Sequence, residues 1–469
     1  MIFASLEFLG LFLPLFLLLY AAAPRGWRNA VLMLSSWVFY AWWTPAFLTM
    51  LVGLTVLSWT GGLAIDRSAA RPALRRGILI VLLAINLALL CFYKYANIVV
   101  ANINELLGWA GAVPIHWQKV VLPIGLSFIV LQAISYLVDV YRGTVSPTRN
   151  FIDFAAYKAM FGQLLAGPII RYAWVDKALV DRGLSWAQFG AGARRFMVGM
   201  SMKVLVADTL SPVVDVAFAL NDPSFADAWI GCLAYCLQLF FDFAGYSAMA
   251  IGLGLMLGFR FPENFNNPYV ARNVADFWQR WHISLSTWLR DYLYFPLGGS
   301  RKGEGRTYVN LMLTMALSGL WHGSDSWNFL LWGLAHGVAL CLHRLWGKLG
   351  GRPLPAVLAH VLTLLFLSLT RTVFRAPDWD TAATLYAAQF GFGTFGLGDA
   401  MRLELRPVHA LAAALAVAAI LFPEWYRRSR LKEAPGAIAL GYIWPLFGFA
   451  LALALIASRG AVPFLYFQF

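Results

Sequence analysis

The sequence predicts an all-α polytopic membrane protein, and three observations carry that prediction. Of its 469 residues, 60% are hydrophobic and only 13% are charged, about half the roughly 25% charged share of soluble proteins. The chain holds 20 Trp and 35 Phe, more aromatic bulk than a globular core conceals, so lipid must serve as part of its solvent. Finally, the apolar residues gather in runs near the ~20 needed to span a bilayer, and the loops between them hold the basic residues. The net charge of +13 therefore reads as positive-inside orientation, and no nucleic-acid partner is expected. Cys91, Cys232, Cys236 and Cys341 all lie in apolar runs, without the paired spacing of a metal site or a disulfide framework.

Apolar runs stand at 3–22, 30–46, 47–65, 77–93, 120–140, 151–169, 228–258, 308–321, 327–345, 355–374, 408–423 and 437–458. A further segment at 189–219 is interrupted by Arg194, Arg195 and Lys203. Roughly 11 to 13 membrane helices are expected, some of them short or re-entrant. They form one integral-membrane domain over 1–469, with a catalytic core near 228–345. The first run has only Glu7 ahead of most of it, with Arg25 and Arg28 behind. That is the wrong charge order for a cleaved signal peptide, so it reads as an uncleaved span with its amino end outside. Arg25/Arg28, Arg67–Arg76 and Arg142/Arg149 fall on alternate loops, which places those loops on the cytoplasmic side. Arg344/Lys348/Arg352 and Arg427/Arg428/Arg430/Lys432 fit the same side, leaving Gly460 to Phe469 outside.

The segment 276–295 differs in kind. At about 100° per residue, Phe277, Trp281, Leu285, Trp288 and Tyr292 make one stripe, with Asp276, Arg280, Thr287, Arg290 and Asp291 opposite. An amphipathic helix lying in the membrane interface is expected, with His282 on its border near Ser286 and with Pro296 and Gly298-Gly299 ending it. The next run, Tyr308 to Trp321, rises only roughly 20 Å. Starting from the basic loop of Arg301, Lys302 and Arg306, it would leave His322 deep in the membrane, before an N-cap in Ser324-Asp325-Ser326. An imidazole there is either bonded to a carbonyl freed by the helix break or working as a general base toward a hydroxyl or thiol. His282 by itself reads as structural, and His336, beside Gly337 in the following span, reads as packing.

Asp242 is the one charge between Trp229 and Gly258. It is either functional or paired with an arginine from another helix. Tyr246 follows it one turn later. The loop Pro262-Glu-Asn-Phe-Asn266-Asn267-Pro268-Tyr269 is polar and proline-bounded, and reads as a membrane-edge connection lining a cavity. A glycine-rich phosphate loop, His-Glu-x-x-His and Gly-x-Ser-x-Gly are missing from the sequence, so neither a metal nor a serine nucleophile is indicated.

Arg280-Trp-His282-Ile-Ser-Leu-Ser-Thr-Trp-Leu-Arg-Asp291-Tyr, followed by Leu320-Trp-His322-Gly323, resembles the membrane-bound O-acyltransferase family in its bacterial polysaccharide O-acetyltransferase branch. Asp242-Phe-Ala-Gly-Tyr-Ser-Ala-Met-Ala-Ile-Gly252, Phe261-Pro-Glu-Asn-Phe-Asn-Asn-Pro-Tyr269, Leu122-Pro-Ile-Gly-Leu-Ser-Phe128, Ala166-Gly-Pro168 and Phe374-Arg375-Ala376 extend the resemblance over nearly the whole chain. It implies a ring of tilted helices around a central funnel. By the same resemblance His322 and His282 match the two functional histidines, with Asp242, Tyr246, Asn266, Trp321, Ser286 and His336 as candidate cavity-lining residues. That branch usually carries Asp where Ala248 stands, which makes Asp242 the expected acid here.

The activity implied is transfer of acetyl from cytoplasmic acetyl-CoA across a bacterial inner membrane. The acceptor is an exported polysaccharide, alginate-type first and cellulose or peptidoglycan as alternatives, reached directly or through a periplasmic acetyl-relay protein. No permanently bound cofactor is expected, and Arg301, Lys302 and Arg306 are candidates to hold the CoA phosphates. The rival class is a glycan or small-molecule transporter. It predicts paired, gapped helices in the two halves of the chain, and no such repeat is visible.

Overall fold

In hydrocarbon every backbone N–H and C=O must find a partner within the chain, so apolar runs fold as helices. The computed structural model describes residues 1–164, 167–323, 326–428 and 435–465, the side chains of 423–440 excepted, and no strand occurs among them. Ala166, Ser324, Asp325, Arg430, Lys432 and the end beyond residue 465 lie outside the described residues. Six helices among the described residues are long and apolar enough to cross a membrane: Pro45–Arg67, Pro72–Trp109, Phe225–Met256, Asn328–Lys348, Ala356–Arg375 and Gly441–Arg459. Two shorter apolar helices, Phe8–Ala22 and Pro407–Phe422, join them. Other expected runs fold as shorter helices, such as Arg28–Ala41 and Leu126–Arg142. The run at 151–169 breaks at Met160 into Phe151–Ala159 and Phe161–Leu164. Their exposed Leu, Val and Trp side chains, Leu313, Leu317 and Leu342 among them, suit a lipid surround.

The chain forms two units, residues 1–193 with 249–262, and residues 194–248 with 263–469. The first is cemented by an aromatic cluster in which Phe161 meets Phe12, Phe16 and Phe39 with ring centroids 5.3, 4.9 and 5.5 Å away. Its buried Lys158 donates to the Ile129 carbonyl.

The second unit holds all the sequence-predicted site residues. The doubtful segment at 189–219 forms helices Trp186–Ser201 and Asp208–Ala219 joined by a π-helical turn, Met202–Ala207. That wider turn carries Lys203 inward, where its Nζ lies 2.8 Å from both Asp208 and Asp242. Glu304–His322 and Asn328–Lys348 make the most extensive helix–helix contact among the described residues. Gly319 and Gly333 face each other there, and a Cβ on either would meet backbone oxygen at 2.3 or 2.4 Å, so only glycine permits the approach.

Two expectations are corrected. The helix before His322 begins at Glu304 and runs 19 residues, a rise of about 28 Å against a hydrocarbon core of roughly 30 Å. It is therefore not too short to cross, and shortness cannot be what sinks His322; packing buries it. The segment 276–295 is also not one interfacial helix. It breaks into Val274–Arg280 and Ile283–Leu289, continued by the π turn Arg290–Tyr294. Phe277, Trp281, Leu285 and Trp288 are buried in protein, because the unit has aromatic partners to offer them and lipid does not get the face.

Candidate functional site

The break between those two helices falls on His282, whose backbone is left-handed with φ of 43°. A non-glycine residue in that region is uncommon and points to constraint by its surroundings. Asn264 supplies the constraint. Its carbonyl accepts the Ile283 N–H at 2.9 Å, and its side-chain Oδ1 accepts from the Ser284 N–H at 3.2 Å and the Ser284 hydroxyl at 2.8 Å. Its Nδ2 donates to Ser247 Oγ at 3.1 Å. A backbone N–H can only donate, so the atom facing Ser284 is an oxygen. The same oxygen lies 3.2 Å from His282 Nδ1, which must therefore carry the proton. His282 Nε2 is left with its lone pair, buried and without a hydrogen-bond partner among the described residues.

His336 has the opposite tautomer. Trp278 Nε1, an indole N–H that can only donate, lies 3.3 Å from His336 Nδ1. The proton of His336 is then on Nε2, which is buried and meets no acceptor among the described residues. One imidazole offers a lone pair and the other an N–H.

His322 ends the Glu304–His322 helix and is 3% exposed. Its ring lies 5.0 Å from Trp321, 5.1 Å from Trp332 and 5.6 Å from Phe374. Trp332 also lies 4.7 Å from His336, and Trp321 lies 6.3 Å from His282. The indoles of Trp321 and Trp332 thus link all three histidines into one buried cluster, entirely within the second unit. Position 323 admits only glycine, since a Cβ there would sit 1.8 Å from the Phe329 ring. Beyond it Ser326 Oγ accepts the Asn328 N–H at 3.2 Å, so the next helix starts one residue later than Trp327.

Other predicted residues scatter. Asp242 is buried, bonded to Lys203 and accepting the Leu465 N–H at 2.8 Å, so its cationic partner is a lysine of the π turn and not an arginine. Phe464 and Leu465 are buried there too, with Phe464 4.6 Å from the Tyr246 ring. Ser286 Oγ bonds the Trp281 carbonyl at 3.2 Å and serves the helix break. Asn266 is exposed, and its backbone clamps Arg280 instead of lining a cavity. Arg301, Lys302 and Arg306 are exposed at the start of the Glu304–His322 helix, a full helix length from His322. Sequence reading missed Asn264, two positions from the asparagine it chose, and also Trp332, Phe374 and Arg371. The last two lie in the helix Ala356–Arg375, beyond the expected core at 228–345.

A helical, multi-pass membrane protein with a buried imidazole cluster is the class that fold and site define. The family model for the membrane-bound O-acyltransferases matches residues 144–352. The chain is 41% identical to the probable alginate O-acetylase of Pseudomonas putida over the whole of both chains. It is 35% identical to the peptidoglycan O-acetyltransferase of Helicobacter pylori, over 84% of this chain and 79% of that one. It is 26% identical to the teichoic acid D-alanyltransferase of Bacillus subtilis, over 55% of this chain and 69% of that one. The chain belongs to the membrane-bound O-acyltransferase family and is an acyltransferase.

Proposed function

We propose that this acyltransferase moves acetyl from cytoplasmic acetyl-CoA to an exported or cell-envelope polysaccharide, alginate-type in the first instance. Full-length identity to alginate O-acetylases supports that acceptor. The Helicobacter pylori relative favours peptidoglycan as the second reading. The protein would sit in a bacterial inner membrane with its amino terminus periplasmic, and hand acetyl to a periplasmic relay protein or to the polymer itself.

The observation that carries the chemistry is His322, buried among Trp321, Trp332 and Phe374 and joined through the two indoles to His282 and His336. In the reaction proposed, His322 takes the proton of the acceptor hydroxyl as its oxygen attacks the thioester carbonyl carbon. The carbon–sulfur bond breaks, and the imidazolium returns the proton to the departing CoA sulfur, leaving an acetyl ester and CoA thiol. His282, with its lone pair on Nε2, is suited to accept a hydrogen bond and orient the acceptor. It is not suited to stabilise an oxyanion, which needs a donor; His336 Nε2–H is the neutral imidazole donor in the cluster. Arg301, Lys302 and Arg306 are proposed to meet the CoA phosphates at the far end of the helix.

Replacing His322 with Ala tests this reading. Polymer acetylation, measured by mass spectrometry of envelope and secreted glycans, is expected to fall by roughly 10²–10⁴-fold, the usual worth of a general base. Full acetylation by a stably inserted variant overturns the assignment.

A further inference from the structure

We propose that Arg371 is a substrate-anchoring residue, its guanidinium edge gripping a carboxylate or phosphate group of a substrate beside the histidine cluster. This rests on the acyltransferase reading above and adds a recognition element to it.

Arg371 belongs to the apolar helix Ala356–Arg375 and is 2% exposed. Its guanidinium carbon lies 4.5 Å above the Trp281 ring and 5.6 Å from the Phe374 ring. Trp281 immediately precedes His282, and Phe374 packs 5.6 Å from His322, so Arg371 borders both functional-site histidines. The other buried cations of known partnership are accounted for: Lys203 lies between two carboxylates and Lys158 bonds a carbonyl. Arg371 has no carboxylate in ion-pair range and no acceptor for its buried Nε and Nη2 among the described residues.

Those two nitrogens share one edge of the guanidinium plane. Their N–H bonds run nearly parallel, with the spacing of the two oxygens of a carboxylate or phosphate. Stacking on Trp281 uses the face of the cation and leaves the two edge nitrogens, buried as they are, without an acceptor among the described residues. A cation held in a membrane helix with a bidentate edge unsatisfied is costly. That cost is relieved when an anion arrives with the ligand, which makes Arg371 selective for charged substrate. Two substrates carry such a group: CoA, through its phosphates, and a polymer built of uronic acids, through its carboxylates.

The test uses the purified full-length protein in nanodiscs, with CoA and a uronate oligosaccharide as probes in titration calorimetry. Arg371→Gln is expected to weaken one of the two by about tenfold or more and leave the other unchanged, which identifies the source of the anion. Arg371→Lys, which keeps the charge and loses the fork, is expected to weaken the same probe by a smaller factor, and serves alone if the glutamine variant does not insert. Wild-type affinity for both probes in whichever of these variants inserts overturns the proposal. His322→Ala, run alongside, is expected to bind both probes normally while losing turnover. Turnover retained in that variant would sink the catalytic reading and leave the binding result for Arg371 to stand or fall by itself.

Discussion

At the scale of the residue, the site turns on one amide. Asn264 decides which nitrogen of His282 carries the proton and at the same time holds the chain in its left-handed break. Asn264→Ala would strand the Ser284 N–H and the His282 Nδ1–H in a buried place, a loss of about 1–3 kcal/mol. It would also release the ring to either tautomer. Acetyl transfer is expected to drop by about tenfold or more even in protein that inserts normally. Comparing activity with detergent thermal unfolding checks this, and unchanged activity would show that the tautomer is irrelevant. His322 was legible from its place at a helix break in an apolar stretch, and His282 only through the family resemblance of the motif around it. Asn264 was not, because Asn264 and Asn266 differ only in which way the loop turns them, and alternation along a loop carries no fixed period.

At the scale of the element, the hairpin of Glu304–His322 and Asn328–Lys348 sets where His322 sits. Glycines at 319 and 333 bring the backbones together, and glycine at 323 clears the Phe329 ring. Gly323→Ala is expected to destabilise by about 1–3 kcal/mol through overpacking, and to displace His322 enough to cut activity. Phe329→Ala in the same chain removes the clash, so the double variant should recover part of the activity of the single one. A double-mutant cycle on acetyl transfer measures that coupling, and strict additivity would show that the two positions do not meet. The helical period correctly grouped Phe277, Trp281, Leu285 and Trp288, all of which are buried. It could not report the break at His282, which depends on hydrogen bonds from a loop remote from that helix.

At the scale of the whole molecule, the charge pattern yields a topology that can be tested. The proposed orientation puts the Arg67–Arg76 loop in the cytoplasm and the 110–125 segment outside. In a Cys91→Ser background, His116→Cys is expected to react with a membrane-impermeant maleimide in intact cells, whereas Arg71→Cys should react only after lysis. The reverse pattern would invert the proposed route of the acetyl group. Composition and apolar run length alone determined that this chain is a helical, multi-pass membrane protein, because a bilayer admits few other solutions for its backbone. The helix break in an apolar stretch singled out His322, and the family resemblance of the surrounding motifs added His282. Tertiary structure alone decided that Asp242 is neutralised by Lys203, that His282 and His336 hold opposite tautomers, and that Arg371 borders the cluster. Those outcomes depend on which side chains from distant segments come within hydrogen-bond or van der Waals reach, and no local pattern encodes that meeting.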